Sequence, residues 1–149
     1  MAERVLCIAA HPDDEVLFCG GALAKHARAG HNVQIFIVAE GATSRGAGAD
    51  ETEALRGAAR QAAKALGASD VNFGGLADQR LDEMALLDVT QLIESVLEAF
   101  KPTVIYTHHG GDLNLDHRIV HQAVLTAARP VPGSSVREIY AGETPSSTE

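Results

Sequence analysis

The chain alternates short apolar runs with longer segments of helical periodicity, and this alternation constrains its fold more than any other feature. Near-continuous apolar runs such as residues 33–39 (VQIFIVA) are typical of strands buried on both faces of a sheet. Segments such as residues 88–100 place apolar side chains at i, i+3 and i+4, which indicates amphipathic helices. The predicted strands span residues 5–10, 33–39, 71–73, 104–107 and 136–141. The predicted helices span residues 15–29, 52–66, 88–100 and 117–129.

Strands that alternate with helices in this way are joined by right-handed crossovers and form a parallel sheet. The sequence therefore predicts an α/β fold, Rossmann-like and three-layered with a mainly parallel sheet, in one domain of residues 1–149. Ligands of such sheets bind at the carboxyl ends of the strands. Because the most polar segments directly follow predicted strands, we expect them to share one edge of the sheet. These polar segments are His11, a glycine-rich loop at residues 41–50 (GATSRGAGAD), and residues 78–82 and 108–116.

The composition narrows the choice of partner and compartment. A formal net charge of −8 disfavours a broad surface for nucleic acid or for membranes. No apolar run reaches the roughly 18 residues that span a bilayer, and no signal peptide is visible. The only cysteines, Cys7 and Cys19, make no disulfide framework, which predicts a reducing, cytoplasmic location. The sequence thus favours a small molecule as the binding partner, and it is also compatible with a homo-oligomer.

The motif HPDDE, residues 11–15, places four ionisable side chains directly after the first predicted strand. Burying so much charge is costly without a partner, and a divalent cation is a suitable one. His11 and Asp14 offer an imidazole nitrogen and a carboxylate oxygen, both of which bind zinc at about 2.0–2.2 Å. Asp13 would then be the general base for a bound water, and Glu15 would orient a ligand or cap the helix. An acidic helix start is the alternative explanation of the acids, but it does not explain the histidine.

A second polar segment, THHGGDLNLDHRIVH at residues 107–121, follows the fourth predicted strand. His117, at the start of a predicted helix, supplies the third protein ligand that a catalytic zinc needs while one position stays open. Asp116 could hold a ring nitrogen of a ligating histidine. His121, one helical turn further on, is better explained by packing or hydrogen bonding. The candidates for the substrate pocket in this segment are His108, His109, Asp112 and Asn114.

Together, the motifs AAHPDDEVLFCGG and GGDLNLDHRIVHQAV resemble the PIG-L/LmbE family of zinc-dependent N-deacetylases. Members of this family remove the N-acetyl group from N-acetylglucosamine conjugates. The resemblance implies zinc ligands at His11, Asp14 and His117 and a general base at Asp13, in agreement with the assignment made from the residues. It also implies a small N-acetylated substrate, with acetate and a free amine as products. The ligand types alone also allow iron or another divalent metal.

The chain departs from the family pattern at Asn114, where members often carry a histidine that stabilises the tetrahedral intermediate or protonates the leaving amine. An asparagine can donate a hydrogen bond to an oxyanion, but it is not a proton donor of the same kind. The acid role therefore passes to His109, His108 or a re-protonated Asp13.

Family members usually carry an arginine and polar residues from later loops in the substrate site. The matching candidates are Arg56, Asp78 and Arg80, and Arg56 is equally explained as a solvated helix residue. Members also normally continue beyond the YAGETPSSTE end, so we expect this domain to lack their C-terminal portion.

Two other functions stay open. The same site could hydrolyse a different amide or an ester, because a bound metal activates water for either reaction. A truncated, non-catalytic relative that binds a sugar would keep the fold without turnover. A dinucleotide site lacks support, because no G-x-G-x-x-G follows the first predicted strand.

Overall fold

The computed structural model describes residues 1–40 and 48–145. The predicted elements are confirmed there, and the third strand is longer than the short run 71–73 that the sequence indicated. Most of the predicted loop 41–50 lies outside the described residues. The strands are β1 (Arg4–Ala9), β2 (Asn32–Glu40), β3 (Asp70–Ala77), β4 (Val104–His108) and β5 (Glu138–Gly142). The helices are α1 (Asp14–Arg28), α2 (Ala49–Leu66), α3 (Leu86–Phe100) and α4 (Leu115–Ala127), with a 3₁₀ turn at Leu81–Glu83.

The strands of the described residues form one sheet in the order β3-β2-β1-β4-β5, and every neighbouring pair is parallel. Central β1 pairs with both β2 and β4, so that Val5 lies opposite Val33 on one side and Val104 on the other. The chain leaves β1 towards β2 and returns later to add β4 on the other side. Such a reversal opens a crevice at the carboxyl ends of the two central strands. The turns that follow β1 and β4 therefore meet there.

Both faces of the sheet are buried, which makes the fold three-layered. Along β1, Val5 and Cys7 pack into one apolar cluster with residues of α1 and α2. The alternate residues Leu6 and Ile8 pack into a second cluster with residues of α3 and α4. Alternation along a strand with apolar residues on both faces accounts for the near-continuous apolar run in the sequence. The Rossmann-like prediction is confirmed.

Glycine is required where α2 ends. Gly67 has a φ of 81° and its N–H bonds the carbonyl of Ala63, which is a left-handed C-cap. A Cβ there would lie 2.9 Å from the Ala27 side chain, so α2 can pack close to the end of α1. No helix in the described parts of the chain is long and apolar enough to cross a membrane.

Candidate functional site

Three side chains converge in the crevice between β1 and β4. Asp14 Oδ2 lies 3.3 Å from His11 Nδ1 and 3.1 Å from His117 Nε2. The two imidazole nitrogens are 3.3 Å apart, which closes a nearly equilateral triangle. His11 and Asp14 come from the turn after β1, and His117 lies in the first turn of α4. The structure thus brings together the three residues that the sequence predicts as metal ligands.

The donor triangle suits a small divalent cation. Nitrogen and oxygen ligands about 2.0–2.2 Å from a tetrahedral zinc lie about 3.3–3.6 Å from one another, close to the sides observed here. Asp14 and His117 are buried, and His11 is half-buried at the opening of the crevice. The same three residues form one of the groups whose donor atoms all lie within 4.8 Å of each other. Two imidazoles and a carboxylate form a ligand set that leaves room for a water or substrate.

A carboxylate holds the outer nitrogen of each histidine. His11 Nε2 lies 2.8 Å from Asp116 Oδ2, and His117 Nδ1 lies 2.8 Å from Asp112 Oδ2. Asp116 also accepts the backbone N–H groups of Gln79 at 2.8 Å and of Leu81 at 3.1 Å. Such contacts fix the orientation and tautomer of each ring and turn its other nitrogen inwards. The predicted role of Asp116 is therefore matched by its position.

The charges of His11, Asp14 and His117 stabilise one another. Burial disfavours charge on His11, but hydrogen bonds to Asp116 and Asp14 outweigh it and raise its pKa to about 10. Burial likewise opposes charge on Asp14, yet the hydrogen bonds to His11 and His117 lower its pKa. The pKa of His117 is raised, because hydrogen bonds to Asp14 and Asp112 outweigh burial. Each of these carboxylates therefore favours positive charge on the imidazole that it contacts.

Asp13 stands at the N-cap of α1 with its carboxyl group beside the triangle. Its φ of 117° lies in a region that favours glycine, and its side chain makes no capping hydrogen bond. Burial and the neighbouring Asp14 raise its pKa to about 6. The buried carboxylate of Glu15 accepts the Asp13 backbone N–H at 3.0 Å, and so Glu15 holds the strained turn.

The family model named PIG-L, described as GlcNAc-PI de-N-acetylase, matches residues 6–128. The chain belongs to this family. It is 33% identical over 147 residues to the protein named "Uncharacterized deacetylase YaiS" from Escherichia coli (strain K12). That alignment covers 95% of this chain and 74% of the relative. The family and this relative are both named for deacetylation, which is a hydrolytic reaction.

Solved structures share the fold of this PIG-L chain. The N,N'-diacetylchitobiose deacetylase of Pyrococcus horikoshii superposes with a TM-score of 0.77 at 22% identity, over 90% of this chain and 53% of that one. GalB, the 4-carboxy-2-hydroxymuconate hydratase of Pseudomonas putida KT2440, superposes with a TM-score of 0.74 at 25% identity, over 95% and 63%. The chain therefore spans less than two thirds of either structure. Because one fold serves both a deacetylase and a hydratase, chemistry must be argued from the site.

His108 does not lie in the substrate pocket, which corrects the prediction from sequence. β4 continues through His108, whose side chain is fully buried. Its Nε2 accepts the Ala10 N–H at 2.8 Å, and its ring stacks on His117 with the centroids 3.9 Å apart. Burial and neighbouring His117 lower its pKa to about 3. A neutral, buried imidazole of this kind supports His117 and cannot deliver a proton to a substrate.

The other candidates near the second turn divide between its surface and its helix. His109 is exposed, and its ring packs over Gly111. His121 Nδ1 donates to the His108 carbonyl at 2.7 Å, in agreement with the predicted hydrogen-bonding role. Asn114 is the N-cap of α4, and its amide oxygen accepts the backbone N–H groups of Asp116 and His117. The amide nitrogen of Asn114 donates to Gln79 Oε1 at 3.4 Å.

The predicted substrate-binding residues are only partly brought together. Asp78 Oδ1 lies 3.2 Å from His11 Nε2, so Asp78 reaches the cluster. Arg56 instead pairs with the buried carboxylate of Glu40 at the end of β2. Arg80 pairs with Glu83 at 2.5 Å, and both side chains are more than half exposed. Substrate contact by either arginine stays a prediction.

Two residues, Asp112 and Gln79, have roles in the structure that the sequence did not predict. Asp112 was assigned to the substrate pocket, but its buried carboxylate orients His117. Gln79, which no motif indicated, adopts a φ of 58° and links Asp116, His11 and Asn114 through its backbone and its amide group. A non-glycine residue in the left-handed region is a signal of function only once the structure is known.

Proposed function

We propose that this PIG-L chain is a metal-dependent N-deacetylase, with zinc held by His11, Asp14 and His117. Its substrate in this proposal is a small N-acetylated, N-acetylglucosamine-type molecule. The observation that carries the proposal is the near-equilateral donor triangle, whose outer nitrogens are both held by aspartates. The name of the E. coli relative and the activity of the Pyrococcus horikoshii enzyme support the same reaction class.

The residues around the triangle divide the reaction between them. A bound zinc would lower the pKa of a water molecule and polarise the acetyl carbonyl. Asp13, whose carboxylate is not used to cap α1, takes a proton from the attacking water. Asn114 has a second amide hydrogen besides the one directed at Gln79, and donates it to the oxyanion. The re-protonated Asp13 then passes its proton to the nitrogen as the carbon–nitrogen bond breaks, and acetate and a free amine leave.

Acetate release from N-acetylglucosamine derivatives by the zinc-loaded chain tests this function. Asp13→Asn should lower kcat by on the order of 10²–10⁴-fold, because the amide cannot accept the proton. Its zinc content should stay unchanged, because Asp13 is not one of the donors. Asp70→Asn, at the start of β3 on the opposite edge of the sheet, is the matched control and should behave as the natural chain does. Full turnover by Asp13→Asn would exclude this base.

Two other reactions would use the same residues, and each is tested by offering its own substrate to the zinc-loaded chain. An ester or a different amide would be hydrolysed by the same activated water, and hydrolysis of simple esters without acetate release from N-acetyl sugars would favour that alternative. The structural likeness to GalB makes addition of water to a carbon–carbon double bond the second candidate. Turnover of a 2-hydroxymuconate-type acid in place of acetate release would favour it.

A further inference from the structure

His11 presents its two ring nitrogens to two different groups of donors. Nδ1 faces Asp14 and His117, whereas Nε2 lies 2.8 Å from Asp116 Oδ2 and 3.2 Å from Asp78 Oδ1. The donor atoms of His11, Asp78 and Asp116 all lie within 4.8 Å of one another. An imidazole with two carboxylates therefore stands on the outer side of the ring, opposite the first triangle.

We propose that His11 Nε2, Asp78 and Asp116 form a second site for a divalent cation, which shares the His11 ring with the site that the reaction uses but binds its other nitrogen. One nitrogen and two carboxylate oxygens are ligands that zinc accepts, and manganese or iron accepts them as well. The entering cation takes the place of the Nε2 proton that the two carboxylates share. That proton is released to solvent.

The surroundings make this outer site both shaped and reachable. Asp116 is held in place by the N–H groups of Gln79 and Leu81, so one carboxylate is already oriented. The side chains of His11 and Asp78 are 12% and 19% exposed, whereas that of Asp116 is 2% exposed. A cation can therefore enter from the solvent side and bind Asp116, the most buried and most firmly held of the three ligands.

The two sites share His11, and this determines how they interact. A second positive charge on the same imidazole is repelled by the first and must also displace a proton, so the outer site binds more weakly. A cation in the outer site binds Asp116, which can then no longer orient His11 for the inner site. Given the proposed function, zinc should activate at stoichiometric amounts and inhibit in excess.

Isothermal titration of the metal-free full chain with zinc chloride tests the site directly. The natural chain should bind more than one zinc, in a tight and a weaker phase, with proton release that is detected by repeating the titration in buffers of different ionisation enthalpy. Asp78→Asn should lose the weaker phase and keep the tight one. Asp14→Asn should lose the tight phase and keep the weaker one. Asp82→Asn, an exposed carboxylate on the same loop, is the matched control and should keep both.

Saturation of the natural chain at one zinc, or an unchanged weaker phase in Asp78→Asn, would overturn the second site. Neither result bears on acetate release, which depends on the tight phase. Conversely, two zinc phases without acetate release would leave the second site standing and remove the proposed function. The two proposals therefore fail separately.

Discussion

The turns after β1 and β4 occupy equivalent places in the sheet but contribute differently to the site. In the first, the N-cap residue Asp13 makes no capping bond, and Glu15 holds its backbone instead. In the second, the N-cap residue Asn114 uses its amide oxygen on the backbone of α4. Asp13 is thus left to accept a proton, whereas Asn114 has only hydrogen-bond donors to offer. In the proposed mechanism, the base therefore comes from the first turn and the oxyanion donor from the second.

The two turns also differ in how their histidines are held. His11 turns Nδ1 inwards and His117 turns Nε2 inwards, yet both outer nitrogens contact aspartates of the second turn, Asp116 and Asp112. In the proposed metal site, the first turn supplies two ligands, and the second turn supplies one ligand and both of the aspartates that orient the histidines. Changes in the second turn should therefore affect both imidazoles.

The largest expected effect is on the ligands, where the two turns should be equal. His11→Ala and His117→Ala should each weaken zinc binding by more than about 100-fold, because a directly bound ligand matters more than the outer partners. Competition with a chromogenic chelator measures the affinity. His109→Ala, in which an exposed histidine of the same segment is removed, is the control and should keep the zinc affinity. If either ligand variant kept its zinc affinity, the two turns would not contribute equally to zinc binding.

The next effect separates the two functions of Asn114. Asn114→Ser keeps a capping oxygen, so its unfolding free energy should stay within a few tenths of a kcal/mol, whereas Asn114→Ala should lose about 0.5–2 kcal/mol. Both variants lack the amide donor, so kcat for acetate release should fall by about 10²–10³-fold in each. Urea unfolding and steady-state kinetics provide the two readouts. A serine variant with unchanged kcat would limit Asn114 to helix capping.

The smallest effect distinguishes the two supporting aspartates. Asp112→Asn and Asp116→Asn should each weaken zinc binding by about 10–100-fold. Asp116 also accepts two backbone N–H groups from the loop after β3, whereas Asp112 accepts one, from Asn114. The Asp116 variant should therefore lose roughly 1–3 kcal/mol more stability than the Asp112 variant in the metal-free protein. Chemical unfolding of both variants measures the difference. Equal losses of stability would show that the loop does not depend on Asp116.

The sequence predicts those features of the site that depend on the local pattern of apolar and polar residues. The position of His11 and Asp14 follows from one apolar strand and one helix start, and the meeting with His117 follows from the order of strands in a parallel sheet. The alternation of strands and helices is present in the sequence, whereas the strand order that places β1 beside β4 is seen only in the structure.

Loop conformation was beyond what the sequence could specify. Asp112 and Asp116 both stand close to His117 in the chain, yet Asp112 orients His117 and Asp116 reaches across to His11. The burial of His108 depends on where β4 ends, and a shift of one residue would have turned its side chain to the other face. Gln79 lies about 35 residues away from Asn114, so no local spacing indicated their contact.

The proposed function requires one cation between the two turns. Diffraction data collected at the zinc absorption edge from crystals of the zinc-loaded chain would locate that cation. The strongest anomalous peak should lie about 2.0–2.2 Å from His11 Nδ1, an Asp14 oxygen and His117 Nε2. A strongest peak elsewhere, with these three side chains uncoordinated, would contradict the proposed function.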